Sequence, residues 1–281
     1  MRYLLMLTIL WTISLTLTAQ TDYPFIQYNK NHLVYDTESP YMQHFAHKWQ
    51  RVVENHQGSL NIVHIGSSHV QGGTFPNAVR CNLLTYLPDL VGDRGMIFPY
   101  SAARMCNNPH DYRVHCPEPV TLTRCVSANP AYNLGLCGIA VTAHDITTHI
   151  QIALQSHINY STTQVIVIGY SQQNIVPLLS LAGRQIPPSY IDPDSRRYIY
   201  NLASTIDSIQ IVIPCQQGEQ FTLQGIYLSN HYPGISYHSI GVNGASLFDY
   251  LKCKQWVDDL PIAYILGSRI VRLRLRLLSG R

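Results

Sequence analysis

Charge is scarce in this sequence: Asp, Glu, Lys and Arg together supply 12% of its 281 residues. The net charge of +3 misleads, because six of the 19 basic residues are Arg2 and the terminal set Arg269, Arg272, Arg274, Arg276 and Arg281. Without those two ends, 13 basic residues face 16 acidic ones, a balance of −3. That excludes a polyanion-binding body, so no nucleic acid partner is expected. Paired-ligand patterns are missing too. No two of the seven cysteines are spaced C-x-x-C, and the 13 histidines include no H-E-x-x-H. Neither a zinc site nor a dithiol redox site is expected, and no metal or cofactor is implied. Past residue 18 there is no long apolar run, so no integral membrane segment is expected after processing.

What is present begins with an export signal. Met1-Arg2 is a short positive start, Tyr3 to Thr18 is apolar or hydroxylated, and Ala19 precedes the polar Gln20-Thr21-Asp22. This pattern predicts a signal peptide over 1–19, cleaved after Ala19, and a secreted or periplasmic mature chain. The 19 tyrosines suit a strand-rich exported protein. Export permits disulfides. Cys106, Cys116, Cys125 and Cys137 lie close enough in sequence for one or two local bridges, and the odd total leaves at least one thiol over.

The chain is organised around Asn61-Ile62-Val63-His64-Ile65-Gly66-Ser67-Ser68-His69-Val70-Gln71. Residues 61–65 read as a buried strand, Gly-Ser-Ser as a turn, and 74–87 as a helix. A strand feeding a helix through a small-residue turn is suited to carrying a nucleophile: glycine permits the turn, and a helix start offers backbone N–H groups to negative charge. Ser67 and Ser68 are both candidates. A further helix is expected over 42–53 from its apolar spacing. Between 105 and 235, runs rich in β-branched residues recur at 120–123, 138–143, 147–153, 164–168, 208–213 and 221–228, separated by Asn129-Pro130, Pro187-Pro188, Asp192-Pro193 and Gln217-Gly218. That pattern predicts a β-sandwich. A second strand, glycine turn and helix follow: 236–240, Gly241-Val242-Asn243-Gly244-Ala245-Ser246, and 247–260. Residues 262–266 offer a third strand. The organisation expected is therefore a signal over 1–19, an α/β domain split between 20–104 and 236–267, an inserted sandwich over 105–235, and an atypical Arg/Leu tail over 268–281.

Several of these stretches resemble a known family. His64-Ile65-Gly66-Ser67-Ser68-His69-Val70-Gln71 resembles the first block of the SGNH (GDSL-type) hydrolases, closest to an exported bacterial branch. Gly95-Met96-Ile97-Phe98-Pro99-Tyr100, Asn107-Asn108-Pro109 and Asp111-Tyr112 are similar to that branch as well, and Gly241-Val242-Asn243-Gly244-Ala245 resembles the second block. The resemblance covers about residues 40–260. It implies an α/β fold with a flavodoxin-like parallel sheet, here incomplete and interrupted by an inserted β-sandwich domain. It also implies ester hydrolysis, with an acetylated or acylated glycan as the substrate. Ser68 takes the nucleophile position and its own N–H donates to the oxyanion; the Gly244 N–H is the second donor, with Gly66, Ser67 and Asn243 in support. Ser67 stands where the family has aspartate.

Two family features are absent. No aspartate is followed by histidine three residues later, which is the family's source of the general base and its orienting carboxylate. If Gly267 holds the glycine of the third block, Arg269 stands where the oxyanion-binding asparagine belongs. A serine hydroxyl without a base is a poor nucleophile. The sequence is therefore read as a truncated esterase, weak or inactive, with out-of-frame residues after about Pro261. The alternatives are a carbohydrate-binding protein that uses the β-insert, with Tyr190, Tyr198, Tyr200, Tyr227 and Tyr232 offered for stacking on sugar rings, or an enzyme whose base comes from another chain. Of the nearby histidines, His64 reads as a core residue, and neither His69 nor His238 is favoured as the base.

Overall fold

The structure, a computed structural model, describes residues 27–30, 40–87, 89–90 and 92–259, with the backbone alone at Tyr28, Thr85, Tyr86, Val257 and Asp258. The expected signal peptide, the strand expected at 262–266 and the Arg/Leu tail lie outside these residues. The chain divides into two units, Met1–Gln43 and His44–Arg281. In the first, Tyr28–Lys30 forms a turn of 3-10 helix. Helix α1 (Pro40–Val53) begins there and runs on into the second unit, which carries everything below.

The flavodoxin-like parallel sheet implied by the family resemblance is not the fold of the described residues. Of fourteen strands, only β1 (Ser59–Gly66) and β14 (Gly234–Gly241) pair in parallel, and they form a sheet of two. The other twelve lie in antiparallel sheets, so the described part of the chain is predominantly antiparallel β. After β1 come the single turn α2 (Ser68–Gln71) and helix α3 (Thr74–Tyr86). The intervening strands are β2 (Gly95–Ile97), β3 (Tyr112–His115), β4 (Val120–Arg124), β5 (Ile139–His144), β6 (Thr147–Leu154) and β7 (Thr162–Tyr170). They continue as β8 (Leu178–Leu181), β9 (Arg184–Ile186), β10 (Tyr190–Asp192), β11 (Arg197–Ile206), β12 (Ser208–Pro214) and β13 (Gln220–Ser229). One sheet runs β10-β11-β7-β13-β5-β4 with β2 on β13; the other runs β3-β6-β12-β8-β9. After β14 come two short helices, α4 (Leu247–Tyr250) and α5 (Trp256–Asp259).

The strand patterns explain the layers. In β6, Thr148, Ile150 and Ile152 are buried while Thr147 and Gln151 are exposed, the period of two that a one-sided strand requires. Strand β13 is buried from Phe221 to Ser229 without alternation. It pairs with β7 on one edge and β5 and β2 on the other, and its Tyr227 ring stacks on His238 of β14 at 5.5 Å. One apolar core therefore spans both antiparallel sheets and the end of the parallel pair, from Ile150, Ile211 and Phe221 to Ile240, Val242 and Tyr250. A smaller core joins Val52 of α1, Leu60, Leu90 and Ile235. All seven cysteines are free thiols, so none of the local bridges considered above forms.

A buried ionic cluster ties α3 to the β-sheets. Arg94, 1% exposed, donates through Nε to Asp111 Oδ2 at 2.6 Å. Arg80 donates from Nε to the Tyr237 carbonyl and from a terminal nitrogen to Ser239 Oγ, both on β14. Burial alone pushes the Asp111 carboxyl up, but Arg94 and Arg80 outweigh it and hold the group below its ordinary range.

Candidate active site around Ser68

Strand β1 stops at Gly66 because the chain turns sharply into α2. Val70 N and Gln71 N donate to the Ser67 carbonyl at 3.1 and 2.9 Å, and Gly72 N donates to the Ser68 carbonyl at 2.9 Å. Ser68 thus occupies the first position of a one-turn helix, half-buried, beyond the end of a parallel strand pair. Two glycines make room for it. A Cβ on Gly241 would collide with the backbone of Ser67 and Gln71, and one on Gly66 with the Val70 side chain. The carbonyls at the strand ends are also anchored. Gly66 O accepts from the Tyr250 hydroxyl at 2.8 Å, and Gly241 O from the Tyr100 hydroxyl at 2.8 Å.

The organising side chain is Gln71, 1% exposed. Its Oε1 accepts the Asn243 N–H at 2.7 Å, and its Nε2 donates to the carbonyls of Cys106 at 2.8 Å and Asn107 at 3.3 Å. Asn107 itself adopts the left-handed conformation (φ 63°) and donates from Nδ2 to the Ser68 carbonyl. Three chain segments, 66–73, 105–109 and 241–246, are therefore fixed against one another around Ser68. Gln71 and Asn107 both lie in stretches that resemble the family, but nothing local in the sequence marks either for this role.

Of the residues singled out from the sequence, Gly66, Ser67 and Ser68 form the turn, and Asn243 is bound to it through Gln71. Gly244 follows Asn243 with φ +83°, exposed, and a Cβ there would meet nothing within 4 Å. Its glycine answers to backbone conformation, not to crowding. The loop leads into α4 through Ser246, whose N–H and hydroxyl both reach Asp249 Oδ2, at 2.7 and 2.8 Å. The ammonium of Lys252 beside Asp249, with the Ser246 donors, holds that carboxyl at about 2.

Among the described residues no side chain hydrogen-bonds the Ser68 hydroxyl. The histidines are placed elsewhere. His69 is exposed. His64 meets the Tyr237 hydroxyl through Nδ1 at 2.7 Å, and burial lowers its pKa. His238 is fully buried: Nδ1 accepts from Met96 N at 3.1 Å, which leaves the proton on Nε2 to donate to Asn61 Oδ1 at 3.0 Å. Desolvation, with Arg80 and Arg94 nearby, brings it down to about 3, so it is a neutral structural imidazole. No group of three or more His, Cys, Asp or Glu side chains among the described residues could hold a metal ion. No helix among them is long and apolar enough to cross a membrane.

No family model and no curated protein sequence matches the chain. Among solved structures, it is similar to a peptidoglycan O-acetylesterase at 19% identity and a TM-score of 0.55, over 76% of this chain and 55% of that one. The likeness is one of fold. This chain spans little more than half of that protein's length. A xylan binding module from Roseburia intestinalis (14% identity, 42% of this chain, 94% of that one) and a family 11 carbohydrate-binding module from Clostridium thermocellum (12%, 51% and 97%) each reach a TM-score of 0.24. Scores of that size do not establish a shared fold.

Proposed function

We propose that this chain is an exported serine ester hydrolase of SGNH type, acting on acylated carbohydrate, with Ser68 as its nucleophile. The observation that carries the reading is the Gln71 lock, which holds the Ser68 turn and the Gly244 loop at the ends of two parallel strands. The fold likeness to a peptidoglycan O-acetylesterase supports it. In the reaction proposed, Ser68 Oγ attacks the ester carbonyl carbon and the C=O electron pair moves onto oxygen. The N–H groups of Ser68 and Gly244 receive that oxyanion. Collapse expels the sugar alcohol, and water then releases the carboxylic acid from the acyl-serine.

The hydroxyl proton is the weak point. With no base bonded to Ser68, and no Asp-x-x-His in the sequence, the proton passes to water or to a base supplied from outside the described residues. Where water alone takes the proton, turnover is slow or nil. In a serine hydrolase stripped of its triad, the oxyanion hole and binding alone retain about 10³–10⁴-fold over water. The test is hydrolysis of p-nitrophenyl acetate by the chain and by Ser68→Ala. Slow release that disappears in the variant, with an acetyl group found on Ser68 by mass spectrometry, supports the reading. Equal rates in both proteins would sink it.

A further inference from the structure

The stretch 250–259, which follows the Gly244 loop, is docked on the stretch 125–138 that begins at the end of β4. The Lys252 ammonium donates to the carbonyls of Cys125 and Ser127 at 2.9 and 3.1 Å. Gln255 N donates to the Leu134 carbonyl at 3.2 Å, and Leu136 N donates to Asp259 Oδ2 at 2.8 Å. A Cβ on Gly138 would strike the Tyr250 ring. This packing brings together two cysteines from distant parts of the sequence. Cys125 is fully buried and Cys253 is 4% exposed, both in the main apolar core. Their side chains hydrogen-bond each other. Cys125 N donates to the Gly138 carbonyl at 2.9 Å and Cys253 N to the Tyr250 carbonyl at 3.0 Å, so both backbones are held independently of the sulfurs.

Two thiols in side-chain contact stand one two-electron oxidation from a disulfide. A third thiol, Cys137, is buried in the same core, but its sulfur lies toward Gly225, where an added Cβ would stand 3.1 Å from it. The pair is not symmetric. The contact pulls the Cys125 thiol down and pushes the Cys253 thiol up, so the shared proton stays on Cys253 and Cys125 is the sulfur that ionises.

We propose that Cys125 and Cys253 are joined as a disulfide under oxidising conditions, stapling the segment after the Gly244 loop to the end of β4. The oxidant is a small-molecule or protein disulfide. The Cys125 thiolate attacks one of its sulfurs, forming a mixed disulfide and releasing the other sulfur as a thiolate. Cys253 then gives its proton to solvent, attacks the Cys125 sulfur and expels the second thiolate. Two electrons pass from the protein to the oxidant, which leaves as two thiols. Both protein sulfurs are shielded once the chain has folded, so the exchange accompanies folding. The proposal does not depend on the esterase reading, and its test in a glutathione buffer does not depend on export.

The full chain is unfolded in urea with dithiothreitol, then refolded in parallel with the reductant or with a mixture of reduced and oxidised glutathione. Remaining thiols are alkylated in urea, and unreduced peptides are mapped by mass spectrometry. The glutathione sample is expected to yield the Cys125 and Cys253 peptides joined, and reduction separates them. Its Tm is expected to lie about 10 °C above that of the reduced chain, because the bridge closes a loop of about 130 residues. Cys125→Ser loses both the link and the gain in Tm, while Cys137→Ser keeps both. Should Cys125→Ser fail to fold, the peptide map of the parent chain still decides. A folded, glutathione-treated chain with Cys125 and Cys253 both alkylated would overturn the proposal. So would Cys253 joined to Cys137, or a gain in Tm that persists in Cys125→Ser.

Discussion

Gln71 Oε1 accepts the backbone N–H of Asn243 at 2.7 Å, a contact between residues 172 positions apart in sequence. The same amide donates to the carbonyls of Cys106 and Asn107. One buried side chain thus fixes the two loops that face the Ser68 turn. Removing it leaves one N–H and two carbonyls to find new partners in a dry place. Gln71→Ala is expected to cost about 2–4 kcal/mol in urea unfolding. Amide exchange at Asn243 should quicken more than the global loss of stability explains. Gln71→Glu keeps the acceptor and loses both donations, so its exchange defect should be smaller at Asn243 than that of the alanine variant.

Two glycines of the second block separate crowding from conformation. At Gly241 an added methyl meets the backbone of Ser67 and Gln71, which cannot step aside without moving the nucleophile turn. Gly241→Ala is expected to cost about 3 kcal/mol or more, or to prevent folding. At Gly244 the space is open and only the φ of +83° resists a side chain. Gly244→Ala should cost about 1 kcal/mol. Equal losses at the two positions, measured by urea unfolding, would contradict this division.

Asp111 is shared by two buried guanidiniums, Arg94 at 2.6 Å and Arg80 at 3.6 Å. Asp111→Asn keeps the shape and removes the charge, leaving Arg94 with no anion at 1% exposure. The expected loss is about 3–5 kcal/mol by chemical denaturation. The same pairing has a pH signature. The Asp111 carboxyl is held low in the folded state, so its contribution is present above the unfolded pKa of about 3.9 and is lost as pH falls below it.

What could be read from the sequence follows from where the determining contacts lie. The strand expected at 61–65 is β1 (Ser59–Gly66), and the helix expected at 74–87 is α3 (Thr74–Tyr86). Both are set by local periodicity. Strand β11 (Arg197–Ile206) went unseen because its second half, around Asn201 to Thr205, is largely exposed and carries no apolar alternation. Residues 247–260 have helical spacing, yet the chain makes only two single turns there. Lys252 is drawn to the carbonyls of Cys125 and Ser127, and Cys253 is buried, both through contacts far away in sequence. The parallel sheet was overestimated for a related reason. Two strand–turn–helix units were legible, but the bulk of the described chain is antiparallel strand. At the site, the Ser68 turn was legible in Gly66-Ser67-Ser68, whereas the role of Gln71 depends on residues 35 and 172 positions away.

His238 gives the molecule a pH dependence that no catalytic role would produce. It is fully buried, and both ring nitrogens are committed, Nδ1 as acceptor from Met96 and Nε2 as donor to Asn61. Burial, and after it the charges of Arg80 and Arg94, bring the group down to about 3, and a second proton would also break the Met96 contact. The unfolded chain protonates the same residue near 6.5, so between about pH 6.5 and 3 the unfolded state holds one proton more. Stability must therefore fall as pH drops through that window, by about 1.4 kcal/mol per pH unit where the difference is complete. Other groups contribute over the same range, the buried carboxyls of Asp93 and Asp259 and the His64 imidazole among them, so the effect is read from the difference between the parent chain and a His238 variant between about pH 6 and 5. His238→Gln removes the titrating group, and its urea midpoint should decline over that range with a slope smaller by about one proton than that of the parent chain. An unchanged slope would mean that the imidazole is accessible to protonation in the folded protein.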